Sequence, residues 1–255
     1  MNSRIPGETH PLRRLLPDEG ETTVAEQLHG LELKELALPD RPYLVLNFAT
    51  TLDGRAAING RSGPIGSKTD TEMLQRLRTR VDAVMIGAGT MRAERYGRIV
   101  SDPGLRAYRE RTLLTHDQLA VLVSNRLELP WDAGLFTDGG GRVVIFTASD
   151  QEPPETATPV TVIRHPDGVD LDRALEWLLK ERGIKSVLCE GGATLHGRLR
   201  EGGLADELFL TISPKIAGGE GPRVLEGALP DIDQVELAWL LESEGELFAR
   251  YRGMS

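Results

Sequence analysis

The sequence predicts an α/β fold: a mostly parallel central sheet flanked by helices and completed by an antiparallel C-terminal hairpin. Three observations predict it. Short apolar, β-rich runs alternate with amphipathic helical segments through the middle of the chain, the pattern of strands laid parallel by crossover helices. Three of the strand runs end in Gly-bearing junctions, at Asp53-Gly54, Gly87-Ala88-Gly89-Thr90 and Glu190-Gly191-Gly192. The tail from Val235 to Arg252 holds two β-rich stretches that meet near Glu244-Gly245, so its strands run antiparallel.

Taken in order, the first forty residues are polar and Pro-rich, with one helix candidate from Thr22 to Leu31. Thr22 or Thr23 caps it, and Glu26 completes a capping box after Thr23. Residues 1–40 therefore read as an extension packed on a main domain of residues 41–255. Pro39 and Pro42 lead into "YLVLNFAT", Tyr43 to Thr50, an apolar run of buried-strand length. Asp53-Gly54 is the dipeptide of a tight hairpin turn. From Ser67 to Asp82, Met73, Leu74, Leu77 and Val81 recur at helical spacing, with Ser67 or Thr69 at the start. "AVMIGAGT", Ala83 to Thr90, is a strand running into a turn, followed by a short helical piece from Met91 to Arg95.

A polar loop leads to two further strands, Leu119 to Ser124 and Arg142 to Ala148, and a short one in "PVTVI". A helix from Leu171 to Arg182 precedes "KSVLCEGG", a strand ending in glycines. A helix from Thr194 to about Glu201 and the strand "DELFLTISP" follow. No internal repeat or biased linker divides the chain.

Composition narrows the function. Hydrophobic residues at 40% and charged residues at 27% of 255 describe a globular protein with a sizeable core. No apolar stretch approaches the roughly 18 residues that span a bilayer, and the N-terminus lacks the apolar stretch of a signal peptide, so no membrane association is expected. A single cysteine, Cys189, leaves no disulfide framework and no Cys-x-x-Cys zinc site; no metal and a cytoplasmic setting are expected. The net charge of −9 opposes broad nucleic-acid binding. It leaves room for a small anionic ligand held by a local arginine or a helix N-terminus.

The third junction carries the most chemistry. Glycines let backbone N–H groups approach a phosphate, and the start of the following helix offers unpaired donors and a favourable dipole. Thr194 adds a hydroxyl there. A tight strand-to-helix connection without a ligand uses the same residues. Glu190 ends an apolar strand, where a carboxylate needs solvent or a partner. Asn47 interrupts another apolar strand, and its amide needs partners when buried. Arg92, Arg95 and Arg98 form a basic cluster after "GAGT", and Arg126 lies just beyond the strand ending at Ser124. Each reads either as a solvated face or as a phosphate ligand. The five histidines share no spacing and read as surface or structural residues.

Four blocks carry a family resemblance: "NFATTLDGRAA" (Asn47 to Ala57), "GRSGPIGS" (Gly60 to Ser67), "DAVMIGAGTMRAERYG" (Asp82 to Gly97) and "VLCEGGATLHGRLREGGLADELFLTISPKIAGG" (Val187 to Gly219). In this order and spacing they resemble the RibD C-terminal-domain family, the reductase of riboflavin biosynthesis, from about Tyr43 onward. The resemblance implies a dihydrofolate-reductase-like fold and NADPH-dependent reduction of a ribosylamino-pyrimidine 5′-phosphate to its ribitylamino product. It implies a pyrophosphate-binding turn at Gly191, Gly192, Ala193, Thr194 and Leu195, with further cofactor contacts at Thr50, Thr90, Glu94 and Ser124. Glu190 matches a substrate-contacting carboxylate and is the catalytic candidate, binding the substrate or helping to relay the proton, and Ser62 matches a substrate-side hydroxyl.

Arg126 is the candidate for the adenosine 2′-phosphate by charge and location. Arg98 is the nearest stand-in for an arginine on the substrate phosphate, and Asp53 shapes the substrate side through its hairpin. Asn47, which orients the substrate in this reading, stands where many bifunctional relatives have a lysine. Pro64 replaces a bulky residue near the nicotinamide. The His-x-Glu and Cys-x-x-Cys signatures of a zinc deaminase are missing, so a stand-alone reductase is expected. A homodimer is implied as well. Two other readings stand beside this one: a reductase of a pterin, folate-like or unknown substrate, and a non-catalytic NADP-binding protein.

Overall fold

Strands buried on both faces read as unbroken apolar runs, and the centre of this molecule is built from such strands. The computed structural model describes residues 7, 9–58, 60–112, 114–224, 226–227, 232 and 234–253. Its elements are β1 (Pro11–Leu16), β2 (Gly20–Thr23), α1 (Val24–Leu28), β3 (Tyr43–Thr51), α2 (Lys68–Arg78), β4 (Ala83–Gly87), α3 (Ala88–Glu94), α4 (Pro103–Arg111) and β5 (Leu119–Val123). They continue with α5 (Gly134–Thr137), β6 (Arg142–Thr147), β7 (Val160–Arg164), α6 (Leu171–Arg182), β8 (Ser186–Cys189), α7 (Ala193–Glu201), β9 (Glu207–Ser213), β10 (Glu236–Ser243) and β11 (Glu246–Arg252).

All strands join one sheet in the order β2-β1-β10-β11-β9-β3-β8-β4-β5-β6-β7. From β9 to β7 every neighbouring pair is parallel. From β9 back to β2 every pair is antiparallel. The expected fold, a mostly parallel sheet with an antiparallel C-terminal hairpin, is the one observed. The hairpin turns at Glu244 and Gly245, both at positive φ (52° and 82°), the conformation that matches the twist of the flanking strands.

Period-2 alternation assigns each strand residue to one of two cores. Val45, Val84, Ile86 and Leu122 pack with Met73 and Leu77 of α2, Met91 of α3 and Tyr108 of α4. Leu44, Leu46, Met85, Val121 and Cys189 face the opposite side, against Leu175 and Leu178 of α6 and Leu195 and Leu199 of α7. Ser67 caps α2 by accepting from the Asp70 N–H at 3.2 Å, and Asp170 caps α6 by accepting from Arg173 N–H at 3.1 Å.

Two features differ from the pattern-based expectation. The stretch read as a polar loop contains α4, which begins at an Asp102 cap with Pro103 at its first turn. Its inner face carries Arg109, wholly buried and donating to the carbonyls of Arg78, Val81 and Thr115, so the apolar period that marks a helix is broken there. Ahead of the predicted helix, which is confined to Val24–Leu28 with Thr23 as its cap, lie β1 and β2. β1 pairs with β10, so this segment lengthens the antiparallel wing. Its two prolines and charged residues hide the strand pattern.

Arg41 and Asp206 fasten the start of β3 to the start of β9. Asp206 accepts from Arg41 at 2.7 and 2.8 Å and from the Leu44 N–H at 2.7 Å, with both side chains under a tenth exposed. Removing one partner of such a pair strands the other charge in the protein. Asp206→Ala is expected to cost about 3–5 kcal/mol, seen as a lowered midpoint in chemical denaturation.

Candidate active site

The carboxyl ends of β3, β4 and β8 open into a cleft of about 430 Å3. Parallel strands deliver their ends to one edge of the sheet, and the junctions there are the usual place for a ligand. Asn47 and Phe48 of β3, Thr90 and Glu94 of α3, Glu190 after β8 and the start of α7 line this cleft. The loop containing Gly60, Ser62 and Gly66 forms another wall, and Asp70 of α2 a further part of the lining. No lysine or arginine is among the described lining residues.

Glu190 is fixed on two sides. Arg78, the last residue of α2, grips it bidentately, with Nε to Oε1 at 2.7 Å and Nη2 to Oε2 at 2.6 Å. The Tyr96 hydroxyl donates to Oε2 at 2.9 Å, and the Arg78 guanidinium lies over the Tyr96 ring at 5.6 Å. The Glu190 side chain is 3% exposed. Burial alone would depress the Arg78 pKa, but the Glu190 charge and hydrogen bonds outweigh it and hold the guanidinium above its usual value. Burial, with the Glu190 charge beside it, raises Tyr96 as well. The result is a carboxylate whose orientation is set by two partners. Neither partner stands out in the sequence: Arg78 reads as a solvated charge at a helix end, and Tyr96 as part of a loop.

The other end of the cleft is made of backbone. Gly87 and Gly191 bring the starts of α3 and α7 together, with the Gly87 N–H donating to the Gly191 carbonyl at 2.6 Å. A Cβ at residue 87 would sit 3.3 Å from that oxygen, and one at residue 192 would sit 2.9 Å from the Thr90 hydroxyl. The Gly191–Gly192 peptide is cis. The N-cap of α7, Gly192, supplies no side-chain hydrogen bond, so the amides of Ala193, Thr194 and Leu195 keep their donors for another acceptor. Among the described residues the Thr194 hydroxyl meets only Glu226 Oε2, at 3.4 Å. Such a helix start suits a phosphate.

Of the residues singled out from sequence, Asn47, Ser62, Thr90, Glu94, Glu190, Gly191, Gly192, Ala193 and Thr194 meet in this cleft. The Asn47 amide has no hydrogen-bond partner among the described residues, which leaves it free for a ligand. Glu94 Oε1 accepts from both the Ser62 N–H (2.7 Å) and hydroxyl (2.9 Å), so this carboxylate ties the loop to α3. The remaining candidates lie elsewhere. Leu195 packs its side chain in the core and offers only its amide. Thr50 is buried, its hydroxyl donating to the Thr51 and Arg55 carbonyls. Ser124 is buried just past β5, and Arg126 beyond it is exposed, 3.5 Å from Glu128.

Arg98 is turned away from the cleft. Asp117 holds it at 2.7 and 2.6 Å, with Gly140 packed against the guanidinium. The Asp53 carboxylate accepts from the Thr51 hydroxyl and from the Ala217 and Gly218 N–H groups. Those bonds hold its pKa down at about 2 and use it to clasp the hairpin to the segment after β9. His196, read as surface or structural, lines the cleft while 2% exposed, with its Nε2 3.2 Å from the Cys189 carbonyl and its ring packed on Phe48. Burial lowers its pKa to about 4, so it is a neutral wall.

A ligand cleft at the carboxyl ends of a parallel sheet, with an open helix start at one end and a clamped carboxylate at the other, defines an α/β domain of the ligand-binding class. The chain belongs to the RibD C-terminal domain family, whose model matches residues 42–241. The 2,5-diamino-6-ribosylamino-4(3H)-pyrimidinone 5′-phosphate reductase of Methanothermobacter thermautotrophicus is 32% identical over 190 residues, covering 72% of this chain and 83% of that relative. The protein of the same name from Archaeoglobus fulgidus is 30% identical, covering 73% and 87%. A pyrimidine reductase-like protein of Corynebacterium diphtheriae superposes with a TM-score of 0.70 at 24% identity, covering 87% of this chain and 98% of its own. That last likeness is one of fold.

Two measurements test the site's construction. Arg78→Met leaves Glu190 unpaired and is expected to cost about 3–5 kcal/mol. Adding Glu190→Gln to it should restore part of that loss in a double-mutant cycle. His196 binds its proton more weakly folded than unfolded, so stability is full above about 6.5 and falls as pH drops toward about 4. The expected loss is about 3 kcal/mol across that window, and a His196→Gln variant should flatten the acid limb of the stability curve.

Proposed function

We propose that this chain is an NADPH-dependent reductase that converts a ribosylamino-pyrimidine 5′-phosphate to its ribitylamino form in riboflavin biosynthesis. The observation that carries this reading is the juxtaposition, in one cleft, of a phosphate-type helix start and a clamped carboxylate. The names of the relatives support the substrate class. NADPH bound here supplies a hydride to the sugar carbon of the substrate.

The residues present suit that cofactor. The open amides at the start of α7 and the Thr90 and Thr194 hydroxyls would take its pyrophosphate, and the missing Cβ at Gly192 makes room beside Thr90. Arg126, exposed at the same edge of the sheet, is the proposed contact for the 2′-phosphate. Ser124, buried two residues before Arg126, backs that end; Thr50, at the end of β3, and Glu94, beside Ser62, are the remaining proposed cofactor contacts. At the other end Glu190, held fixed, accepts hydrogen bonds from the pyrimidine or sugar. Asn47 presents an amide that can both donate and accept, and Ser62 reaches the substrate from the loop. Positioning of the two reactants supplies most of the rate in such a site.

The reductase unit is proposed as residues 41–255, with residues 1–40 packed on it and extending its sheet. A homodimer is part of the proposal. Leu52 and Ile216 are 62% and 77% exposed where Leu52 N–H donates to the Lys215 carbonyl, an apolar surface that a second copy would cover. A cytoplasmic setting completes it. Among the described residues no helix is long and apolar enough to cross a membrane.

The test is oxidation of NADPH, compared with NADH, in the presence of the pathway intermediate and separately of dihydrofolate. Turnover is expected with NADPH and the pyrimidine phosphate. Glu190→Gln should slow turnover while leaving NADPH binding within a factor of a few. An equal loss of both would remove Glu190 from the substrate end.

A further inference from the structure

The reaction proposed above consumes a proton as well as a hydride, and most acids of the cleft cannot supply it. Glu190 is held as a carboxylate by Arg78. Tyr96 commits its hydroxyl proton to Glu190. His196 is neutral and buried on the Cys189 carbonyl. Glu94 is engaged by Ser62, and Glu226 lies by Thr194 at the phosphate end.

One lining carboxyl is left. Asp70 is in the first turn of α2, part of the cleft lining, and forms no salt bridge among the described residues. The neighbouring Gly66 makes room for it: a Cβ at residue 66 would fall 2.0 Å from Asp70 Oδ2 and 2.7 Å from its Cγ. Behind it lies a second buried carboxyl. Glu246 of β11 is 2% exposed, takes the Ser67 hydroxyl on Oε2, and has no partner on Oε1. Ser67 joins the two, because the same hydroxyl oxygen accepts from the Asp70 N–H.

The groups facing Asp70 are the Thr211 hydroxyl of β9 and Lys215 beyond it, with Glu246 across Ser67. Lys215 is occupied by the Pro64 and Ile65 carbonyls, at 2.9 and 2.7 Å. One lysine therefore serves two buried acids. Burial raises both carboxyls, against the pull of Thr211 and Lys215, and the Asp70 charge raises Glu246 further. Such a pair loses its protons in two coupled steps and keeps one where a lone carboxyl would have lost it.

The geometry points to Asp70 as the general acid of this cleft, with Glu246 behind it as the other half of a buried proton store. This rests on the reduction proposed above. As the hydride adds to C1′ of the ring-opened imine, the carbon–nitrogen π bond breaks and its electron pair goes to nitrogen. Nitrogen takes the proton from Asp70, whose O–H bond breaks to leave a carboxylate, later reprotonated from solvent. Activity carried by protonated Asp70 is present at low pH and lost as pH rises through its raised pKa.

Asp70→Asn is expected to retain NADPH binding, to lower kcat by about 10²–10⁴-fold, and to abolish the alkaline limb of the kcat–pH profile. Asp70→Glu should restore part of the rate with that limb displaced. Infrared pH titration of the ligand-free, 13C-aspartate-labelled chain should show one protonated aspartic carboxyl persisting above the ordinary aspartate range, absent from Asp70→Asn. A wild-type chain that reduces the pyrimidine phosphate while Asp70→Asn keeps its rate and alkaline limb would overturn the role of Asp70 alone. Absence of the protonated aspartic signal would do the same. No turnover of that substrate by the wild type would overturn the reduction itself, and the role of Asp70 with it.

Discussion

The Arg78–Glu190 pair is the joint on which the cleft depends. Arg78 belongs to a helix on one face of the sheet, and Glu190 to the tip of a central strand. Their bidentate contact spans elements that no covalent turn connects. Around it the chain converges: the Arg78 carbonyl accepts from Arg109 and Gln118, and its Nη1 donates to the Ile99 carbonyl. α2, α4, the start of β5 and the loop carrying Tyr96 are thereby referred to one residue, through its carbonyl and its guanidinium. Two charges removed from water cost several kcal/mol each, and their attraction returns that only when geometry and extra hydrogen bonds are good. Here every guanidinium nitrogen has an acceptor, and both carboxylate oxygens have donors. The pair is better understood as a device for orientation than as a source of stability.

That orientation explains how an acidic protein can take an anion in a cleft lined by no described cation. Arg78 is spent on Glu190 and contributes no free positive charge. What remains for a phosphate is the start of α7, where three amides and the helix dipole point outward. The starts of α2, α4 and α6 are closed by Ser67, Asp102 and Asp170. At α7 the cap position is Gly192, which has no side chain to close it. The glycines thus serve geometry and chemistry together, allowing close approach to α3 and leaving the donors open.

The sheet was legible because fully buried parallel strands must be apolar throughout, and "AVMIG", "LAVLV" and "SVLC" obey that constraint. The cleft was legible where function is written in backbone: Gly191, Gly192 and the strand-end Glu190 stand out against an apolar run. It was not legible where side chains are paired over long sequence distances. Arg78 and Glu190 are 112 residues apart, and nothing in "RLRTR" shows that all three of its arginines are buried or that Arg78 is the one that grips Glu190. The same reason hid α4, whose buried face carries Arg109. It also gave Arg98 and Asp53 an apparent freedom that Asp117 and the segment after β9 remove.

The carboxylates of the cleft show why residue type alone does not assign a role. Glu190 is paired with a guanidinium, and Glu94 is a tie between loop and helix. Asp70 faces burial with a second acid behind it, joined through Ser67, and one lysine serving both. These environments give otherwise similar groups different tasks, and such separation lets one pocket hold a paired carboxylate beside a transferable proton. If Glu190 were both the orienting charge and the acid, each turnover would discharge the group that holds α2 against β8. Dividing the tasks leaves the joint intact while the proton moves from another residue of the lining.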